Sequence, residues 1–103
     1  MIIDFDKYYL KDLYTNNKIE YSKYGVQPSV VKKYIKTIDK LKAANCIEEL
    51  YPIKSINYER PLGNKKGFES VKINDKYRVE FKTKKCSYRN ITICLIIEIV
   101  NHC

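Results

Sequence analysis

Between Arg60 and Lys82 the chain carries cations at spacings that suit a phosphate. Arg78, Glu80 and Lys82 alternate with Tyr77, Val79 and Phe81. A strand sends successive side chains to opposite faces, so the charged set stands on a support whose other face covers a core. Lys72 alternates with Val71 and Ile73 in the run just before, on the side of Phe68 and Ser70. Lys65 and Lys66 sit in a loop bounded by Gly63 and Gly67, where the missing Cβ lets a backbone come close. Arg60 stands just ahead of that loop. An arginine fork meets phosphate oxygens in pairs and keeps its charge. His102, the one histidine, titrates near neutral pH and so suits an acid or a base. Fixed cations on a rigid face suit a phosphate or a polyanion. Arg78 is expected to be free of packing duties, with Glu69 or Glu80 as its cross-strand partners if it pairs at all.

These side chains need a strand, a turn and a second strand to hold them. Phe68 to Ile73 alternates as a strand, and Asn74-Asp75 supplies a turn, since their short side chains hydrogen-bond the nearby backbone. The second strand opens at Tyr77, and Lys84 to Asn90 reads as a polar hairpin loop. Ile91 to Val100 is the strongest strand signal: Ile91, Ile93, Leu95, Ile97 and Ile99 on one face, Cys94, Ile96 and Val100 on the other. A strand apolar on both faces is central or covered on each side. Upstream, Met1 to Phe5 is a short edge strand or the lead into a helix. Phe5, Tyr9 and Leu13 fall four apart and predict a helix ending at Thr15-Asn16-Asn17. Lys18 to Gln27 is a connector. A second helix starts at Pro28 and carries Val31, Tyr34, Ile38 and Leu41 on one stripe, with Lys32, Lys36 and Lys40 on a solvated one. Ala43 to Tyr58 has no clear period beyond a brief helical turn at Cys46 to Leu50. The layout is α+β: two N-terminal helices packed on a small, mainly antiparallel sheet.

The chain has 103 residues, room for one domain over residues 1–103 and no second core. A 31% share of charged residues and the lack of any run near the roughly 20 apolar residues that cross a bilayer argue against a membrane protein. The start, MIIDFDKYYL, lacks the basic and apolar regions of a signal peptide, which makes the cytoplasm the expected location. The formal charge is +8, and ten of the 20 basic residues lie between Lys54 and Lys85 against four acids, an excess that favours an anionic partner. Cys46, Cys86, Cys94 and Cys103 show no Cys-x-x-Cys spacing, so free thiols are expected and a metal site is not.

The run Gly63 to Gly67, then Ser70-Val71-Lys72-Ile73-Asn74-Asp75-Lys76-Tyr77-Arg78-Val79-Glu80-Phe81, resembles the RelE/HigB superfamily of bacterial toxins. The shared features are a Gly-x-x-Lys-Gly loop, an alternating strand, a short polar turn and an aromatic-Arg pair, here Tyr77-Arg78. The resemblance implies a microbial-ribonuclease-like sheet flanked by N-terminal helices. It implies a type II toxin that cuts mRNA on the ribosome, the substrate's own 2′-hydroxyl attacking the adjacent phosphate with no metal and no cofactor. Arg78 would then meet the charge on the phosphate, His102 would move a proton, and Lys65, Lys66, Lys72 and Lys82 would hold RNA. Two departures stand out. The lysine common before the loop's first Gly is Leu62, with Arg60 two residues earlier as its replacement, and the usual acidic-Tyr-His ending is Asn101-His102-Cys103. The implied partners are the ribosome, mRNA and an antitoxin, as a rule a helix-turn-helix, HigA-like protein, with no membrane. ParE-like relatives that bind DNA gyrase without cutting RNA share the scaffold and remain the alternative. A plain RNA-binding module is the other.

Overall fold

The structure, a computed structural model, describes residues 1–16, 24–60, 67–86 and 90–101. Four strands form one mixed sheet: β1 (Ile2–Phe5), β2 (Glu69–Lys72), β3 (Tyr77–Cys86) and β4 (Ile91–Asn101), in the order β1-β4-β3-β2. The first strand lies parallel to the last, and the other pairings are antiparallel. Two helices, α1 (Tyr8–Thr15) and α2 (Pro28–Ala43), cover one face. The expected α+β layout of helices on a mainly antiparallel sheet is therefore present, with β1 as the edge strand and β4 central. Among the described residues no helix is long and apolar enough to cross a membrane.

Pro28 opens α2, where a missing N–H leaves no bond unmade. Val31, Tyr34, Ile38 and Leu41 are buried, as their spacing predicts, and Lys32, Lys36 and Lys40 are exposed. The Tyr34 hydroxyl donates to the Leu10 carbonyl at 2.7 Å, which ties α2 to α1. Phe5 departs from expectation: it ends β1 rather than starting a helical stripe, while α1 buries Leu13 as its spacing predicts and Leu10 beside it. Lys7 and Tyr9, at the start of α1, both donate to the Glu98 carboxylate and fasten that helix to β4.

Two further differences concern the hairpin. β3 runs on to Cys86, so residues 84–86 extend the ladder, with Lys84 opposite Ile93 and Cys86 opposite Ile91. In β4 the buried positions are Thr92, Cys94 and Ile96, whereas Ile91, Ile93 and Leu95 are only half-buried. Register decides this, because Cys94 pairs with Ile3 and Ile96 with Phe81, both packed in or on the core. A bulge then shifts the register, with Phe81 opposite Ile96 but Glu80 opposite Glu98. The extra residue, Ile97, returns Ile99 to the core side beside Val79.

Candidate active site

The β2–β3 turn forms as its sequence predicts: Asn74 Oδ1 accepts the backbone N–H groups of Lys76 at 2.9 Å and Tyr77 at 2.7 Å. That turn sets the register, which pairs Lys72 with Arg78, Ser70 with Glu80 and Val71 with Val79. Val71 and Val79 are buried in the core against the helices. Lys72, Arg78 and Lys82 therefore share the sheet face turned away from the helices.

Arg78 is not a free surface cation. Its side chain is only 4% exposed. Nε donates to Ser70 Oγ at 3.0 Å, and one terminal nitrogen donates to the Asn57 carbonyl at 2.5 Å and the Ser70 carbonyl at 3.2 Å. The cause is a segment with no clear period in the sequence. After a 3-10 turn at Lys54–Ile56, Asn57 takes a left-handed conformation (φ 40°), which asparagine tolerates better than most residues. The chain then runs along β2, where Glu59 and Ser70 exchange backbone hydrogen bonds. This extra rung covers the guanidinium and brings Glu59 Oε2 to 3.7 Å from it. The partner is thus neither Glu69 nor Glu80. Burial lowers the Arg78 pKa and the Glu59 charge raises it, but a guanidinium keeps its proton throughout the physiological range.

Arg60 lies elsewhere. One position after Glu59, it falls on the opposite face and meets Glu69 at 3.3 Å. Glu69 is 2% exposed and takes further hydrogen bonds from the hydroxyls of Tyr58 and Thr83, the latter at 2.7 Å. Burial, then the Glu69 hydrogen bond, raises the Tyr58 pKa. The Tyr58 ring also packs against Tyr51 and Phe81. The structure therefore does not join Arg60 to Arg78: the two arginines stand on opposite sides of the sheet edge.

Lys82 is exposed and sits over the Phe68 ring at 4.5 Å, while Lys72 pairs with Asp75 at 2.8 Å. Lys65, Lys66 and His102 lie outside the described residues, as does Leu62. Glu59 is the residue that sequence reasoning missed. Its carboxylate is 44% exposed and is the one acid in contact with the Arg78 guanidinium among the described residues. No local signal marked it, because residues 57–60 carry no period and their extended course comes from the bridge to Ser70. Together a guanidinium fixed just beneath the surface, a half-exposed carboxylate and flanking lysines can offer positive charge to a phosphate and take a proton beside it.

Residues 3–95 match the model of the HigB-like toxin family, described as the RelE-like toxin of type II toxin–antitoxin system HigB. The chain belongs to that family. Membership makes it a type II toxin and implies an antitoxin as its partner. Among solved structures the chain is similar to a YoeB/ParE toxin from Agrobacterium tumefaciens, with a TM-score of 0.54 at 14% identity over 100% of both chains. That likeness is one of fold. None of the curated proteins matches the sequence.

Proposed function

We propose that this HigB-like toxin is a ribosome-dependent mRNA endoribonuclease that arrests translation. The observation that carries the reading is the Arg78 guanidinium, held rigid beside the half-exposed Glu59 on the face that also presents Lys72 and Lys82. The ribose 2′-hydroxyl attacks the adjacent phosphorus, forming the O2′–P bond, and its proton passes to the Glu59 carboxylate. The P–O5′ bond breaks, and the leaving 5′-oxygen takes a proton from His102. The products are a 2′,3′-cyclic phosphate and a free 5′-hydroxyl. Arg78 opposes the charge that gathers on the phosphate oxygens at the transition state. Because Ser70 and Asn57 already fix it, no reorganisation is needed at that moment. Lys65, Lys66, Lys72 and Lys82 hold the flanking strand. Arg60 has no part in the step, since its guanidinium is engaged with Glu69 on the other face.

The antitoxin in this reading is a HigA-like helix-turn-helix protein, and the site of action is the cytoplasm. The family match supports the nuclease over the gyrase-binding alternative. The test is to add purified toxin to programmed ribosomes and map 5′ ends on the message. Wild type should cut within the decoding site, and Arg78→Lys, which keeps the charge but loses the fork, should cut about 10²–10³-fold more slowly. Uncut message with poisoned gyrase would overturn the reading. So would a rate that falls only as far as loss of folded protein accounts for.

A further inference from the structure

A second basic feature lies at the β2–β3 turn. Lys33 of α2, Ser55, Lys72 of β2 and Asn74, Asp75 and Lys76 of the turn surround a hollow of about 420 Å³. The three lysines come from three elements, so no charge run in the sequence announces them. Nearly every group is a donor. Ser55 Oγ accepts from Lys40 Nζ at 3.1 Å, which leaves the serine proton to donate. Asn74 Oδ1 is taken by the backbone of Lys76 and Tyr77, which leaves its amide NH₂. Asp75 is the one carboxylate, paired with Lys72 at 2.8 Å and within reach of the Lys33 charge as well. Lys72 and Lys33 thus share one carboxylate, and Lys76, whose Nζ lies over the Tyr77 ring at 5.6 Å, borders the same space, which is large enough for a phosphate group. Lys72 is also the register partner of Arg78, about 5 Å away at Cα for neighbouring strands.

We propose that this hollow is a second phosphate subsite, which takes a backbone phosphate of the RNA strand next to the one held at Arg78. The strand's identity rests on the nuclease reading, whereas the preference for phosphate follows from the donor set. Lys33 and Lys76 are its specific elements, and Lys40 of α2 acts only through its hydrogen bond to Ser55.

The test uses the full chain and a single-stranded RNA oligonucleotide with 2′-O-methyl riboses, which binds but cannot be cut. Lys33→Gln combined with Lys76→Gln should weaken binding at least about 5-fold and flatten the log–log salt slope by about 0.7 for each phosphate that is no longer neutralised. A control pair, Lys11→Gln with Lys42→Gln, removes the same charge from exposed positions elsewhere and should change affinity less than about 2-fold. Equal losses in both pairs would reduce the effect to net charge and overturn the subsite. Inorganic phosphate is the second probe. If it perturbs the resonances of the hollow and RNA does not displace it, the hollow takes a small anion and the RNA assignment falls. Should the double variant unfold, Lys33→Gln alone carries the comparison, with about half the slope change. Cleavage is read separately. A wild-type toxin that leaves ribosomal mRNA intact but keeps the contrast between the pairs would end the nuclease reading and leave the subsite standing. Cleavage without that contrast would do the reverse.

Discussion

Two arginine–glutamate pairs flank the same sheet edge, and they are built inside out relative to each other. On the face turned from the helices the cation is buried and the carboxylate, Glu59, is half-exposed. On the helix side the carboxylate, Glu69, is buried and the cation, Arg60, is mostly exposed. In each pair the buried member is fixed by neutral groups: Ser70 and Asn57 around Arg78, Tyr58 and Thr83 around Glu69. A buried charge needs such hydrogen bonds, because one partner at a distance does not offset the loss of water. The difference lies in what each pair offers outward. The first turns the Glu59 carboxylate outward over a guanidinium fixed just beneath it, which suits proton transfer beside a substrate that gains negative charge. The second presents a flexible arginine over a carboxylate locked into the fold, which suits holding β2, β3 and residues 58–60 together.

If that division is right, Glu59→Gln should lower single-turnover cleavage by about 10²–10⁴-fold while leaving the thermal midpoint nearly unchanged, since its side chain is half in water. An unaltered rate would break the comparison, because the two pairs would then both be scaffolding.

Glu69→Ala should show the opposite pattern. It leaves the hydroxyls of Tyr58 and Thr83 without their acceptor and should cost about 1–3 kcal/mol of stability by denaturant titration. Any loss of cleavage per folded molecule should be slight. Arg60→Gln should destabilise less than Glu69→Ala, as Arg60 lies mostly in solvent. A selective collapse of activity in either variant would draw the helix-side pair into the chemistry.

A third pair sharpens the trend at its weak end, since both Lys7 and Glu98 are partly exposed. Burial raises the Glu98 pKa, but the hydrogen bonds from Lys7 and Tyr9 and the Lys7 charge outweigh it, and the net shift is downward. A carboxyl with a lowered folded pKa contributes stability that is present above its unfolded value of about 4.3 and lost as pH falls through the folded value. Glu98→Gln should therefore remove a small part of the stability lost between about pH 5 and pH 3, screened by salt because the pair is exposed. An acid limb that is the same in wild type and variant would show that Glu98 gains nothing from its partners in the fold.

Local pattern decided much of this protein. The stripe Val31, Tyr34, Ile38 and Leu41, the Pro28 start, the Asn74-Asp75 turn and the alternation around Tyr77 to Phe81 each follow from a period or a side-chain reach that acts over a few residues. The sequence also placed Arg78, Lys72 and Lys82 on one face, because the alternation of a strand leaves no choice. Only tertiary structure could decide what covers that face. Residues 57–60 carry no strong period, and their place beside β2 depends on backbone hydrogen bonds between Glu59 and Ser70, eleven positions apart. That rung turned Arg78 from an open surface cation into a buried one and chose Glu59 as its neighbour. It also sent Arg60 to the other side. The buried face of β4 was likewise beyond local reading, since both of its faces are apolar and only pairing with Ile3 and Phe81 separates them. Where a segment's own residues favour two arrangements equally, the contacts it makes far along the chain decide.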